Sequence, residues 1–383
     1  MKQKNNPTDS SRSNDLPNLN IIDLDNETPS SEHATEAPED SANTPETDVD
    51  DEKTGILGFL SRINIHIVLL VMFVIVVIAV CYRFNNWGQF IDLDEIFKDG
   101  KGSYSDTFDS IIPLIDSEGD PVFKEYGAGD DILLFGNAPF ADDRDSADNL
   151  ANMIQEMTGA NVYNCSVSGS YLAAQWPYLS VDDCPMDIFN FYWLMTVMVG
   201  DSIDYSYRFG VESMGDAAPP EAMEVYNTLQ TIDLNEVDVI AIMYDASDYL
   251  AGHEMYSDEN NTDILQFTGN MEAGIELIHD NYPNIRFMVL SPTYAYGLDE
   301  DGNYISSDIQ RYGQDVLSTY VIKQSDSCAT QNVTFIDNLY GTITEANADQ
   351  YLTDHLHLNV EGRKLVAERF VEALNYYAES ANK

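Results

Sequence analysis

Asp131-Ile-Leu-Leu-Phe-Gly-Asn-Ala-Pro-Phe-Ala-Asp-Asp143 is the stretch whose reading decides the fold. Its apolar run, Ile132 to Phe135, reads as a buried strand, and Gly136 stops it. A polar turn follows, and a helical pattern opens near Ser146. Strand, glycine turn and helix put the turn at the carboxyl end of a strand in an open α/β sheet, where such folds hold their ligands.

Working outward, the segments Asn161–Val167, Val237–Tyr244, Ile285–Leu290 and Val333–Ile336 read as further strands. Val237–Tyr244 is too continuously apolar to be half exposed, as befits a parallel sheet. Helical patterns lie between them. Ser146–Met157 carries Leu150, Ile154 and Met157 on one face, with Ser146 as the expected N-cap and Gly159 just past the end. Residues 186–225 read as a helical insertion, and 263–281, 309–324 and 360–374 as helices. Tyr294–Ser306 reads as a hairpin turning over Asp299–Asn303. The piece Phe108–Ile115 is expected to pack on the domain edge. Strands alternating with helices predict a three-layer α/β/α domain around a flavodoxin-like sheet of about five parallel strands.

The chain sets 66 Asp and Glu against 18 Lys and Arg over 383 residues, a formal net charge of −48. Residues 1–54 carry −10 of it and residues 84–383 carry −40. A domain so acidic repels phosphate polymers, so no nucleic-acid partner is expected. Residues 1–54 hold no aromatic residue, are rich in Ser, Thr, Asn, Pro and acids, and read as a disordered acidic tail. Ile63–Tyr82 has no formally charged side chain, and its core Ile67–Val80 is apolar throughout. A helix of that length spans the hydrocarbon core of a bilayer, so the fold is expected to be preceded by one transmembrane helix. Lys53 and Arg62 before the span favour the tail inside and the large domain outside, as in a signal-anchor protein, although Arg83 just after it makes the bias slight. Residues 84–127 then form a connector, and 128–383 the domain. Cys165, Cys184 and Cys328 lie in the domain without a C-x-x-C pair, and a Cys165–Cys184 bridge is open in an oxidising space.

The sharpest chemical signal is Asp354-His355-Leu-His357-Leu-Asn-Val-Glu-Gly362, just before the last helix. An Asp three residues ahead of a His can orient the imidazole and stabilise its protonated form. His355 and His357 lack an evident third partner for a metal, so no metal and no cofactor are expected.

The order of these segments resembles the SGNH, or GDSL-like, hydrolase family over residues 128–378. Gly136-Asn137-Ala138 stands where the family has G-D-S, so Ala138 occupies the nucleophile position. Asn164-Cys-Ser-Val-Ser-Gly169 looks like the block whose glycine N–H serves the oxyanion hole. Asp245-Ala-Ser247-Asp248 takes the place of G-x-N-D, with Ser247 in the Asn donor's position. Asp354 and His357 match the D-x-x-H block. The resemblance implies acyl ester chemistry with His357 as base and Asp354 as its orienter, and with Gly169, Ser247, Asn137 and Asp248 on the oxyanion and binding side. Ala138 has no oxygen with which to attack. Three readings follow: a degenerate member binding a cell-surface glycan or acylated ligand; an active ester hydrolase or acyltransferase; and a structural ectodomain. The second would use Ser166, Ser168 or Ser170, or water activated by His357 with Asp142 or Asp143.

Overall fold

The computed structural model describes residues 72–74, 77, 108–116 and 119–381, with side chains to 378. Contacts divide the chain into Met1–Asp92 and Leu93–Lys383. In the first unit Met72, Phe73, Val74 and Val77 are described; they are helical and exposed. The acidic tail 1–54 and the rest of the span expected at 63–82 lie outside the described residues. No helix among the described residues is long and apolar enough to cross a membrane.

The second unit is built on a parallel sheet of five strands. These are β1 (Asp131–Gly136), β2 (Asn161–Asn164), β3 (Val239–Met243), β4 (Arg286–Leu290) and β5 (Thr334–Ile336). Their order across the sheet is β2-β1-β3-β4-β5. β1 lies at the switch point, with Ile132 opposite both Val162 and Val239. Ile132, Leu133, Leu134 and Phe135 are fully buried. Each such side chain withdrawn from water contributes roughly 1.5–3 kcal/mol. This continuous burial on both faces is why the strands read as apolar runs rather than as alternations.

Helices cover both faces. α1 (Leu150–Thr158) packs against α5 (Val360–Ala381). α3 (Phe267–Asn281) packs against α2 (Phe191–Val199) and α4 (Leu317–Gln331). A hairpin pairs Tyr296–Leu298 with Tyr304–Ser306. Ser110 bridges Phe335 by a reciprocal pair of 2.9 Å bonds, so the 108–112 segment lies along the outer edge of β5.

Several expectations are corrected. The cap of α1 is Asn149 rather than Ser146. Its Oδ1 accepts from Ala151 and Asn152 N–H, while its Nδ2 donates to Phe140 and Asp142 carbonyls, a double task a serine cannot perform. The helix expected over 309–324 runs from Leu317 to Gln331. Gly313 adopts φ 55°, and the Tyr249 hydroxyl donates to the Gln310 carbonyl, so tertiary contacts hold this approach as a loop. β2 ends at Asn164, yet Cys165 and Val167 N–H still bond Leu134 and Gly136 carbonyls, carrying the chain along β1 to the site. Cys165, Cys184 and Cys328 are free thiols, so no Cys165–Cys184 bridge forms. Burial pushes the Cys165 thiol up to about 12.

Candidate functional site

The carboxyl ends of β1 and β3 approach so closely that Gly136 is obligatory. A Cβ there would sit 1.8 Å from the Met243 carbonyl oxygen. Directly after it Asn137 turns inward and is buried. Its Nδ2 donates to Asp245 Oδ1 at 2.8 Å and to the Ser170 carbonyl at 3.0 Å, and its Oδ1 accepts from Asp245 N–H at 2.8 Å. One amide thus ties together the turns that follow β1, β2 and β3. Ala138 comes next, buried at the start of the short helix Ala138–Ala141.

The turn after β2 brings Gly169 to the surface at φ 73°, a left-handed conformation suited to glycine. Among the described residues, no protein group accepts from the Ala138 or Gly169 N–H. These are free donors of the type that meets developing negative charge. Ser166 and Ser170 are buried with hydroxyls directed at backbone carbonyls, Leu134 for Ser166 and Val167 for Ser170. Ser168 is half-buried, and its N–H donates to Glu221.

Asp245 is buried on the far side of Asn137. Burial pushes its carboxyl up, against hydrogen bonds from Ser247 and Asn137 and the charge of His357. The Ser247 N–H donates to Asp245 Oδ1 at 2.9 Å, and its side chain bonds the same carboxyl. Asp248 is buried and accepts from the Leu172 and Ala173 N–H groups and from His253. Asn137 and Asp248 are therefore committed to internal bonds rather than presented to solvent, and the Ser247 hydroxyl is engaged by a neighbouring acid.

The Asp354–His357 loop faces these turns from the amino end of α5. Asp354 Oδ1 accepts both Leu356 and His357 N–H at 2.8 Å, and its Oδ2 lies 2.8 Å from His357 Nδ1. The same carboxylate folds the loop and aims the ring. Burial would raise Asp354, but these donors and the His357 charge hold it below 3.8. Burial would lower His357, but the Asp354 bond and charge, then Asp142 and Asp245, hold it above 6.5. Thr353 N–H donates to the His357 carbonyl at 2.7 Å, closing the loop. Asn359 Oδ1 caps the helix by accepting from Gly362 N–H.

A cleft of about 510 Å³ opens here, lined by Asp142, Asp143, Asp354, His357, Asn359 and Arg363, among others. Arg363 is buried and donates to Asp143 Oδ2 at 2.7 Å. Asp142 is the cleft carboxyl that, after Asp354, acts on His357, and burial pushes it up. Sequence reasoning missed Arg363 and Asp245 as parts of this assembly. Arg363 lies inside an amphipathic helix pattern, and Asp245 stands at the glycine position of the third block, to which no side-chain role attaches.

No protein-family profile matches the chain, and no curated protein matches it. Among solved structures it is similar to a protein from Lactobacillus plantarum, at 16% identity and TM-score 0.45, covering 66% of this chain and 99% of that one. It is similar to a protein from Parabacteroides merdae described as a GDSL-like lipase, at 13% identity and TM-score 0.40, covering 67% and 100%. A carbohydrate acetylesterase from Sinorhizobium meliloti is similar at 12% identity and TM-score 0.39, covering 64% and 99%. The strand order, the glycine turn after β1 and the Asp-x-x-His loop before α5 are the features in which this fold resembles the SGNH, or GDSL-like, hydrolases.

Proposed function

We propose that this chain is a membrane-anchored SGNH-like protein whose 128–383 domain binds an acylated ligand or cell-surface glycan in the His357 cleft without covalent turnover. The observation that carries it is the contrast between an oriented His357 and a nucleophile position filled by Ala138. The buried Ser166 and Ser170 hydroxyls, directed at backbone carbonyls, support the absence of a substitute. The free Ala138 and Gly169 N–H groups suit the carbonyl oxygen of an acyl group. The exposed apolar helical residues Met72, Phe73, Val74 and Val77 support an anchor. Membrane extraction with carbonate tests that part: release of the full-length chain into the wash would remove the anchor from the proposal.

The test of the site compares the full-length chain with Ala138→Ser and His357→Ala, using p-nitrophenyl acetate for turnover and an acetylated xylo-oligosaccharide for binding. Wild type is expected to bind without turnover, and His357→Ala to weaken binding. Ala138→Ser is expected to gain hydrolysis at least ~100-fold above background, because it returns the attacking group to an oriented base. Wild-type turnover abolished by His357→Ala would overturn the binding-only reading.

A second reading draws on Asp142. Its raised carboxyl acts on His357 within the cleft, a setting in which the imidazole activates water directly. It is distinguished by hydrolysis that persists in wild type without labelling by a fluorophosphonate probe.

A further inference from the structure

Two buried carboxylates hold the loop that follows Gly169. Asp248 accepts Leu172 N–H at 2.8 Å and Ala173 N–H at 3.0 Å. Asp187 accepts Gln175 and Trp176 N–H at 3.0 Å. Both acids are nearly sealed from water. Carboxylates in such surroundings are costly unless a cation sits with them.

One histidine pairs with the first and lies within the field of the second. His253 Nδ1 lies 2.8 Å from Asp248 Oδ1, and the Asp187 charge acts on the same ring. The imidazole packs edge-on against Tyr171, with centroids 4.6 Å apart. Its backbone is fixed from behind. His253 N–H donates to the Asp248 carbonyl at 3.0 Å, and the Tyr320 hydroxyl donates to the His253 carbonyl. Gly252, at φ 74°, lets this turn approach Gly313, where an added Cβ would sit 2.4 Å from the Gly252 carbonyl oxygen.

We propose that His253, as imidazolium, is a positioning residue that locks residues 171–176 by neutralising Asp248 and Asp187 together, and that the loop loosens when His253 gives up its proton. This goes beyond the ligand reading and stands whether or not the cleft hydrolyses an ester. Burial pulls His253 down, but the Asp248 bond and charge and the Asp187 charge outweigh it and hold the ring above 6.5. A histidine raised in this way contributes fully below 6.5 and loses its contribution as pH climbs through the raised value. Tyr171 and Tyr320 are the titratable side chains described in contact with His253 besides Asp248, and Glu254 and Asp315 act on Tyr320. Tyr320 is raised by burial and stays neutral throughout. Glu254 accepts from Gln266 Nε2, and Asp315 pairs with Arg311.

The experiment is amide hydrogen exchange on the full-length chain from about pH 5.5 to about pH 8.5, corrected for intrinsic exchange. Protection at Leu172, Ala173, Gln175 and Trp176 is expected to fall at least ~10-fold across this range in wild type. His253→Asn keeps a donor near the Nδ1 position but carries no charge. It is expected to show the weaker protection at both ends of the range. A wild-type profile without the fall, or His253→Asn reproducing it, overturns the proposal. Circular dichroism checks that the variant folds. Should it not fold, Asp187→Asn serves instead, with the His253 titration followed by proton NMR. Removing one of the charges that raise the ring is expected to lower its midpoint, and an unmoved midpoint overturns the shared clamp.

Discussion

Two histidine–aspartate pairs in this domain share one separation, 2.8 Å from Nδ1 to carboxylate, and little else. In His357–Asp354 the side chains are 40% and 41% exposed and border an open cleft. In His253–Asp248 they are 22% and 1% exposed, and the carboxylate also carries two backbone amides of a neighbouring loop. The first Asp bonds its own loop, so the pair is a local unit whose ring meets solvent. The second Asp bonds a loop from another part of the chain, so the pair is a tertiary joint. Burial and the identity of the remaining hydrogen bonds, rather than the distance, separate a chemical role from an architectural one.

The comparison breaks most readily at Asp248. Asp248→Ala strands two buried N–H groups and a half-buried histidine, and is expected to cost about 3–5 kcal/mol. Denaturant unfolding measures it, and a loss under about 1 kcal/mol would make the two pairs equivalent. Next comes Asn137→Asp, which places a second carboxylate against buried Asp245. A loss of about 1–3 kcal/mol is expected near neutral pH. It should shrink toward acid pH as one of the carboxyls takes a proton, and unfolding midpoints that do not depend on pH would contradict the contact. Asp354→Asn is expected to cost under about 1 kcal/mol, since an exposed ion pair contributes little. Its effect belongs in chemistry. In an Ala138→Ser background, turnover is expected to rise with pH as His357 deprotonates, with a midpoint above 6.5. Asp354→Asn should move that midpoint down and lower the plateau, because the charge that raises and orients the ring is gone. A pH–rate profile unchanged by the substitution would separate Asp354 from the base.

How much of this was legible in the sequence varies by residue. Ile132–Phe135 announced a buried strand because a strand covered on both faces is apolar at every position. Asp354 and His357 were legible because three residues of separation keep their contact inside one turn. The start of α4 was not. Apart from Gly313, residues 309–316 carry helix-compatible side chains, and long-range contacts with Tyr249, Gly252, Met255 and Leu298 hold them as a loop. Asn137 looked like a binding group at the nucleophile turn, but its contact with Asp245 spans 108 residues and turns it inward.

By itself the sequence determined the strand runs, the order of the site blocks, the alanine at position 138 and the local Asp354–His357 unit. Each is written in periodicity or in close spacing, which neighbouring residues fix by themselves. Tertiary structure alone decided that Asn137 binds Asp245 and Ser170, that Arg363 holds Asp143, and that His253 pairs with an Asp248 that also holds the Leu172 and Ala173 amides. Those pairings exist only once the sheet order brings separate strand ends together. Which polar groups are then buried, and with which partners, is a property of that assembly and of no single segment.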